Sequence, residues 1–314
     1  MSLEAIYPAD RVTLREVGLR DGLQLAKAVP STEAKRAWLK AEAAAGVRHY
    51  EVGSFLPAAR FPQFADIHEI ISASGALGLH SAGLTLNERG AEAAIATAIR
   101  EMVCVVSATE AHSEANARRS RAAAVELVGK VAALRNERAP DKLVNAGIAM
   151  AFGCSLSGNV DPAEVLRLAE ACLAAGADIV GLADTVGYAG PRAVGALCAQ
   201  MHRLCGNRPF IIHLHDTRGL GLANAAAALD NGARVVDASL GGLGGCPFAP
   251  GATGNVVFED VVFLAESMGF PTGIDLEALT PARAIAEEAL PGESFHGALH
   301  RAGPPTNANW QATA

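Results

Sequence analysis

From residue 11 to residue 269 the chain alternates short apolar or β-branched runs with longer amphipathic stretches rich in Ala, Glu and Leu. The strand-like runs are RVTLREVG at 11–18, HYEVGSF at 49–55, LGLHSAGL at 77–84 and EMVCVVSA at 101–108. They continue with LVNAGIAMAF at 143–152, DIVGLAD at 178–184, FIIHLHD at 210–216 and RVVDASLGG at 234–242. Such short, nearly continuous apolar runs suit strands buried on both faces. Helical patterns fill each gap: 31–46, 64–74, 87–99, 113–137, 161–176, 191–205, 220–232 and 256–269. Several close on Gly46, Gly176, Gly232 and Gly269, at the position where a left-handed residue ends a helix. Ser31 and Asp161-Pro162 carry the matching start signals.

Strict alternation of strand and helix predicts a parallel sheet, and eight units are the number that closes a (β/α)8 TIM barrel. A doubly wound open sheet is the competing α/β architecture. No G-x-G-x-x-G follows the first strand, so its usual dinucleotide signature is missing. Beyond residue 270 the period breaks into a helical stretch at 274–290 and an end rich in Gly and Pro. The expected organisation is a catalytic barrel over residues 1–270 and a short helical C-terminal extension over 271–314.

Composition narrows the function classes. A net charge of -7 leaves no basic footprint for nucleic acid. No apolar run is long enough to cross a bilayer, and the start lacks the charge and apolar pattern of a signal peptide. The six cysteines show no C-x-x-C pairing and read as reduced thiols in a cytoplasmic protein.

In a barrel the chemistry belongs at the C-terminal ends of the strands. His213 and His215, in HLHD, project to the same face of one strand, as a metal clamp or as satisfied core histidines. Arg20-Asp21, between glycines after strand 1, is either a local turn pair or part of the same site. Strand 1 lies one strand away from strand 7 in a closed barrel, so Asp21 could reach an ion held by the two histidines. Glu51 sits in an otherwise apolar strand and needs a partner, with Arg20 the obvious one. That pair could be structural or catalytic. The segment GGLGGCPFAPGATGN at 241–255 has six glycines and two prolines around Cys246. A thiol on a glycine-hinged loop suits proton transfer, whereas most free cysteines are small buried hydrophobes. Asn255 could complete a metal shell or cap the next helix.

Together the runs REVGLRDGLQ at 15–24, EVGSF at 51–55, ADTVG at 183–187, HLHDT at 213–217 and GLGGCPFAPGATGN at 242–255 resemble the hydroxymethylglutaryl-CoA lyase family. These are metal-dependent barrel lyases. The resemblance implies that Asp21, His213, His215 and Asn255 hold a divalent metal, magnesium or manganese. It implies that Arg20 neutralises an enolate oxygen, that Glu51 is an essential carboxylate and that Cys246 transfers a proton. Lys27 and Asp184 match polar positions near the acyl end or the CoA thioester. The reaction implied is retro-Claisen cleavage of a 3-hydroxyacyl-CoA, hydroxymethylglutaryl-CoA yielding acetyl-CoA and acetoacetate, by a homo-oligomer such as a dimer. A Claisen-condensing acyltransferase of the same superfamily is a further alternative. Three departures from the family pattern bear on the acyl group: LPAARFPQFAD after EVGSF, Leu25, and Gly181 in place of a small hydroxyl residue. They make citramalyl-CoA, or another branched 3-hydroxyacyl-CoA, an alternative substrate.

Overall fold

The computed structural model describes residues 3–245, 254–306 and 308–312. Eight parallel strands close into one barrel in the order β1 to β8. The chain order is α1 (Leu3–Ile6), β1 (Thr13–Glu16), α2 (Thr32–Ala44), β2 (His49–Ser54), α3 (Ile67–Ala76), β3 (His80–Leu84), α4 (Glu88–Ile95), β4 (Glu101–Ser107), α5 (Glu110–Ala117) and α6 (Arg121–Arg138). It continues with β5 (Leu143–Ala149), α7 (Pro162–Ala174), β6 (Ile179–Asp184), α8 (Pro191–Cys205), β7 (Ile211–Leu214), α9 (Gly221–Asp230), β8 (Val235–Ala238), α10 (Phe258–Ser267), α11 (Thr280–Ala289) and α12 (Ala298–Ala302). All eight expected strands are present, and the ring closes where β1 pairs with β8, Arg15 lying beside Asp237.

Helix starts follow their side chains. Ser31 accepts from the Ala34 N–H, Asp161 from the Ala163 N–H, and Pro162 and Pro191 occupy first turns. One long helix was expected over 113–137, but two form, α5 ending at Ala117 and α6 running from Arg121 to Arg138. Arg118 adopts φ 52°, and Ser120 accepts from the Ala123 N–H to start α6 afresh. A Ser cap contributes about 1 kcal/mol, enough to restart a helix after a break. The stretch expected as helix over 274–290 forms α11 only from Thr280. Asp275 first turns the chain by accepting from the N–H groups of Glu277 and Ala278.

In the barrel's lower interior Leu143, Ile179, Ile211 and Val235 form an apolar floor, covered from below by Ile6 and Tyr7. The interior also carries charge, with Arg15, Glu101 and Asp237 all buried and Glu101 in register with Leu143. The C-terminal segment packs back on the barrel. The Asp275 N–H donates to the Ala45 carbonyl, and Arg283 pairs with Glu259 at 2.9 Å. The N–H groups of Ala298 and Leu299 donate to Asp260. No helix among the described residues is long and apolar enough to cross a membrane.

Candidate active site

At the C-terminal end of β1 the chain winds into a single π-type turn over Gly18–Gly22, the N–H groups of Asp21 and Gly22 both donating to the Val17 carbonyl. This wide turn ends β1 early and carries Arg20 and Asp21. Glu16 anchors it by accepting from the N–H groups of Gly18 and Leu240, which ties the turn after β1 to the turn after β8. Glu259 holds the second turn through the Gly241 N–H. Two loops that carry site residues therefore share a buried carboxylate scaffold.

The donor atoms of Asp21, His213 and His215 lie within 4.8 Å of one another. The two histidine Nε2 atoms are 3.0 Å apart, and His215 Nε2 is 3.6 Å from Asp21. After the loop the chain returns beside β7, with the Asp216 N–H donating to the Gly254 carbonyl and the Val256 N–H to Leu214. That pairing delivers Asn255 to the cluster. Its Nδ2 donates to Asp21 at 2.8 Å and to the Leu243 carbonyl at 3.1 Å. Its Oδ1 is buried with no partner among the described residues, a costly state for an amide oxygen.

Arg20 lies between two carboxylates, its Nη1 2.5 Å from Asp21 and its Nε 2.7 Å from Glu51. Glu51 is buried on β2. Burial pushes its carboxyl up, and Arg20 opposes that rise. Burial also acts against the Asp21 charge, yet the adjacent guanidinium and the two histidines hold its carboxyl well below the usual range. Below this layer Asp237 accepts from His213 Nδ1 at 3.1 Å and from Arg15.

The Asp21 carboxylate, two converging imidazoles and an amide oxygen with no partner among the described residues fit a divalent cation. The donor set is one carboxylate, two imidazoles and one amide oxygen.

The remaining sequence candidates divide. Asp184 ends β6, buried, and accepts from the N–H groups of Tyr188 and Ala189 at 2.8 and 3.1 Å, so its carboxylate shapes its own loop. Lys27 is exposed, its backbone N–H donating to Glu293 at 2.8 Å. Cys246 lies outside the described residues. Leu25 is 46% exposed at the rim. Gly181 lies in the middle of β6, beside Gly147 of β5. Asp237 and Arg15 were not among the sequence candidates. Their signal was charge at alternate positions of apolar strands, which pairs only once β1, β7 and β8 are known to be neighbours. A cleft of about 490 Å³ between α1, β2 and β3 lies at the opposite end of the barrel, beside His49 and His80.

Fold and site together define a (β/α)8 barrel with a cluster that could hold a metal ion at the C-terminal mouth of its strands. Residues 11–285 match the HMGL-like family model, and the chain belongs to that family. It is 37% identical to the (R)-citramalyl-CoA lyase of Chloroflexus aurantiacus, over 94% of this chain and 96% of that one. It is 35% identical to the hydroxymethylglutaryl-CoA lyase YngG of Bacillus subtilis, over 90% of this chain and 94% of the other. Among solved structures, an HMG-CoA lyase from Acinetobacter baumannii in complex with coenzyme A and 3-methylmalate superposes with a TM-score of 0.86. That likeness has 34% identity and covers 96% of this chain and 98% of the other.

Proposed function

We propose that this chain is a metal-dependent carbon–carbon lyase that cleaves 3-hydroxy-3-methylglutaryl-CoA to acetyl-CoA and acetoacetate. The observation that carries the reading is the junction of two features. The Asp21–His213–His215 donor set converges within 4.8 Å, and Arg20 is fixed directly beside it by Asp21 and Glu51. Asp21, His213, His215 and Asn255 would hold magnesium or manganese. A bound divalent ion supplies Lewis acidity toward the hydroxyl and carboxylate oxygens of an acyl substrate.

The protein's own groups do the rest. Arg20 presents a preorganised cation to the enolate oxygen that develops as the C–C bond breaks. Glu51 holds that guanidinium in place through Nε, and its burial keeps water from relaxing the pair. Cys246 is assigned, on the sequence alone, the proton delivered to the carbanion carbon. The relative solved with coenzyme A and 3-methylmalate supports an acyl-CoA substrate.

Citramalyl-CoA is the second reading, favoured by the 37% identity to a citramalyl-CoA lyase and by the departures at Leu25 and Gly181. The test is coupled detection of acetyl-CoA release from hydroxymethylglutaryl-CoA and, in parallel, from citramalyl-CoA, each with magnesium or manganese. Fast EDTA-sensitive cleavage of the first is expected. Cleavage of citramalyl-CoA alone would transfer the assignment to that substrate, and cleavage of neither by metal-loaded protein would overturn the lyase reading.

A further inference from the structure

The polar interior beneath the site is larger than metal binding requires, and one of its members touches a proposed ligand directly. Asp237 on β8 stands between Arg15 on β1 and His213 on β7, in register with both. Its Oδ1 accepts from Arg15 Nε at 2.7 Å, and its Oδ2 from Arg15 Nη2 at 2.9 Å and His213 Nδ1 at 3.1 Å. Arg15 is braced in turn, its Nη1 donating to Glu101 at 2.7 Å. Glu101 also accepts from Asn145 and Tyr7, each at 2.7 Å. A carboxylate clamped bidentately by a guanidinium, which is itself clamped, has no freedom to rotate.

We propose that Asp237 is a positioning residue that fixes His213 in the tautomer able to bind the ion, with Arg15 and Glu101 locking it. A neutral imidazole carries one proton on one of its two nitrogens. Ionised Asp237 only accepts, so the proton is held at Nδ1. The Nε2 lone pair is then directed to the point where His215 and Asp21 converge. Asp237 faces the ring from below, and nothing in its geometry brings it to a reacting atom. The inference rests on the metal reading above and deepens it.

Asp237→Asn separates orientation from folding. Arg15 donates to both carboxylate oxygens, so either orientation of the new amide turns its NH2 against one former donor. With the NH2 toward His213, Nδ1 becomes the acceptor and the proton moves to Nε2; with the oxygen toward it, the NH2 meets Arg15 Nε and the clamp that fixes the acceptor is broken. The change is isosteric, yet in either orientation His213 loses its locked, ionised acceptor and ligation weakens. Titration of the holoprotein-forming chain with Mn2+, followed by the electron paramagnetic resonance of free Mn2+, should give a Kd 10- to 100-fold weaker for D237N than for the wild type. The melting temperature of metal-free D237N shows whether the variant is folded. His213→Ala serves as the reference for a lost ligand.

If the wild type binds Mn2+ no better than H213A, the metal reading itself fails. If the wild type binds and H213A does not, but folded D237N binds within about threefold of the wild type, the metal reading stands and the positioning role is refuted. Should D237N not fold, 15N NMR of the magnesium-loaded wild type decides, with the His213 signals assigned by difference against His213→Gln. A proton on Nδ1 supports the proposal, and a proton on Nε2 overturns it.

Discussion

Glu51→Gln isolates the contribution of one buried charge to Arg20. The Glu51 side chain is 1% exposed and that of Arg20 13%, with Nε and Oε2 2.7 Å apart. At an effective dielectric constant of about 20, two unit charges at that distance attract by about 6 kcal/mol. Desolvation of both groups offsets much of this, and losing one partner of a buried pair typically costs about 3–5 kcal/mol. Here the orphaned guanidinium keeps Asp21 at 2.5 Å, so the cost belongs at the lower end, about 3 kcal/mol. The functional effect follows from geometry. With Glu51 neutral, Asp21 alone pulls the guanidinium, and the cation leaves the position where enolate charge develops. A preorganised donor lost from such a position lowers kcat by about 100- to 1,000-fold. KM should change little, because the ground-state thioester carries no such charge. Urea denaturation followed by the fluorescence of buried Trp38 gives the first quantity, and steady-state acetyl-CoA release the second. A variant with wild-type kcat, or with a folding cost below about 1 kcal/mol, would refute the role given to this pair.

Three further outcomes can be checked independently. His49 packs at a tilt against Tyr7 and His80, and burial lowers its pKa to about 4. The unfolded chain therefore binds the proton first as pH falls below about 6.5, and stability is lost from there down through pH 4, by at most about 3 kcal/mol. Urea midpoints at pH 7 and pH 4.5 for the wild type and His49→Gln should show a smaller acid loss in the variant; equal losses would contradict this. Gly254 has φ +107°, and a Cβ there would run into the Gly242 carbonyl. Gly254→Ala should cost at least about 2 kcal/mol and weaken Mn2+ binding by displacing Asn255, readable by calorimetry. A methyl at Gly181 would meet Ile211 Cβ at 3.4 Å, an ordinary contact. Gly181→Ser should therefore fold and shift kcat/KM toward hydroxymethylglutaryl-CoA over citramalyl-CoA by about 10-fold; an unchanged ratio would remove this position from acyl selection.

The barrel was legible because its signals are local. Strand runs such as IVGLAD and caps such as Asp161-Pro162 act within a few residues, and eight repetitions leave few topologies. The break at 118–120 was less visible, since Arg-Arg-Ser within an Ala-rich stretch fits a continuous helix as well as a recapped one. The metal ligands were legible in part because His213 and His215 share a strand face, and Asp21 could be added from the barrel's ring closure. Lys27 was assigned by resemblance alone, and in the structure it is exposed with its backbone amide tied to Glu293 of the tail. No pattern in either segment announces that contact between residues 266 positions apart.

The charged barrel interior escaped a sequence reading for a physical reason. Arg15, Glu101 and Asp237 stand on three different strands, and each alone reads as a surface charge or an error in strand assignment. Only closure of the ring makes Arg15 and Asp237 neighbours. Such a cluster is weak ground for stability, because well-packed apolar residues of similar size often serve as well or better. What apolar residues could not supply is orientation. Leucine and valine layers would leave the His213 ring free to choose its tautomer and Asp237's position empty of any acceptor. The interior of this barrel thus divides its labour between two kinds of residue. The Leu143–Ile179–Ile211–Val235 floor provides cohesion, and the charged groups that rise from its level at Glu101 to Asp237 hold the imidazole in one protonation pattern. On this argument, replacing the floor residues should change stability while leaving metal affinity largely intact. Replacing Asp237 should weaken metal binding and also cost stability, because it leaves the buried Arg15 guanidinium short of a partner.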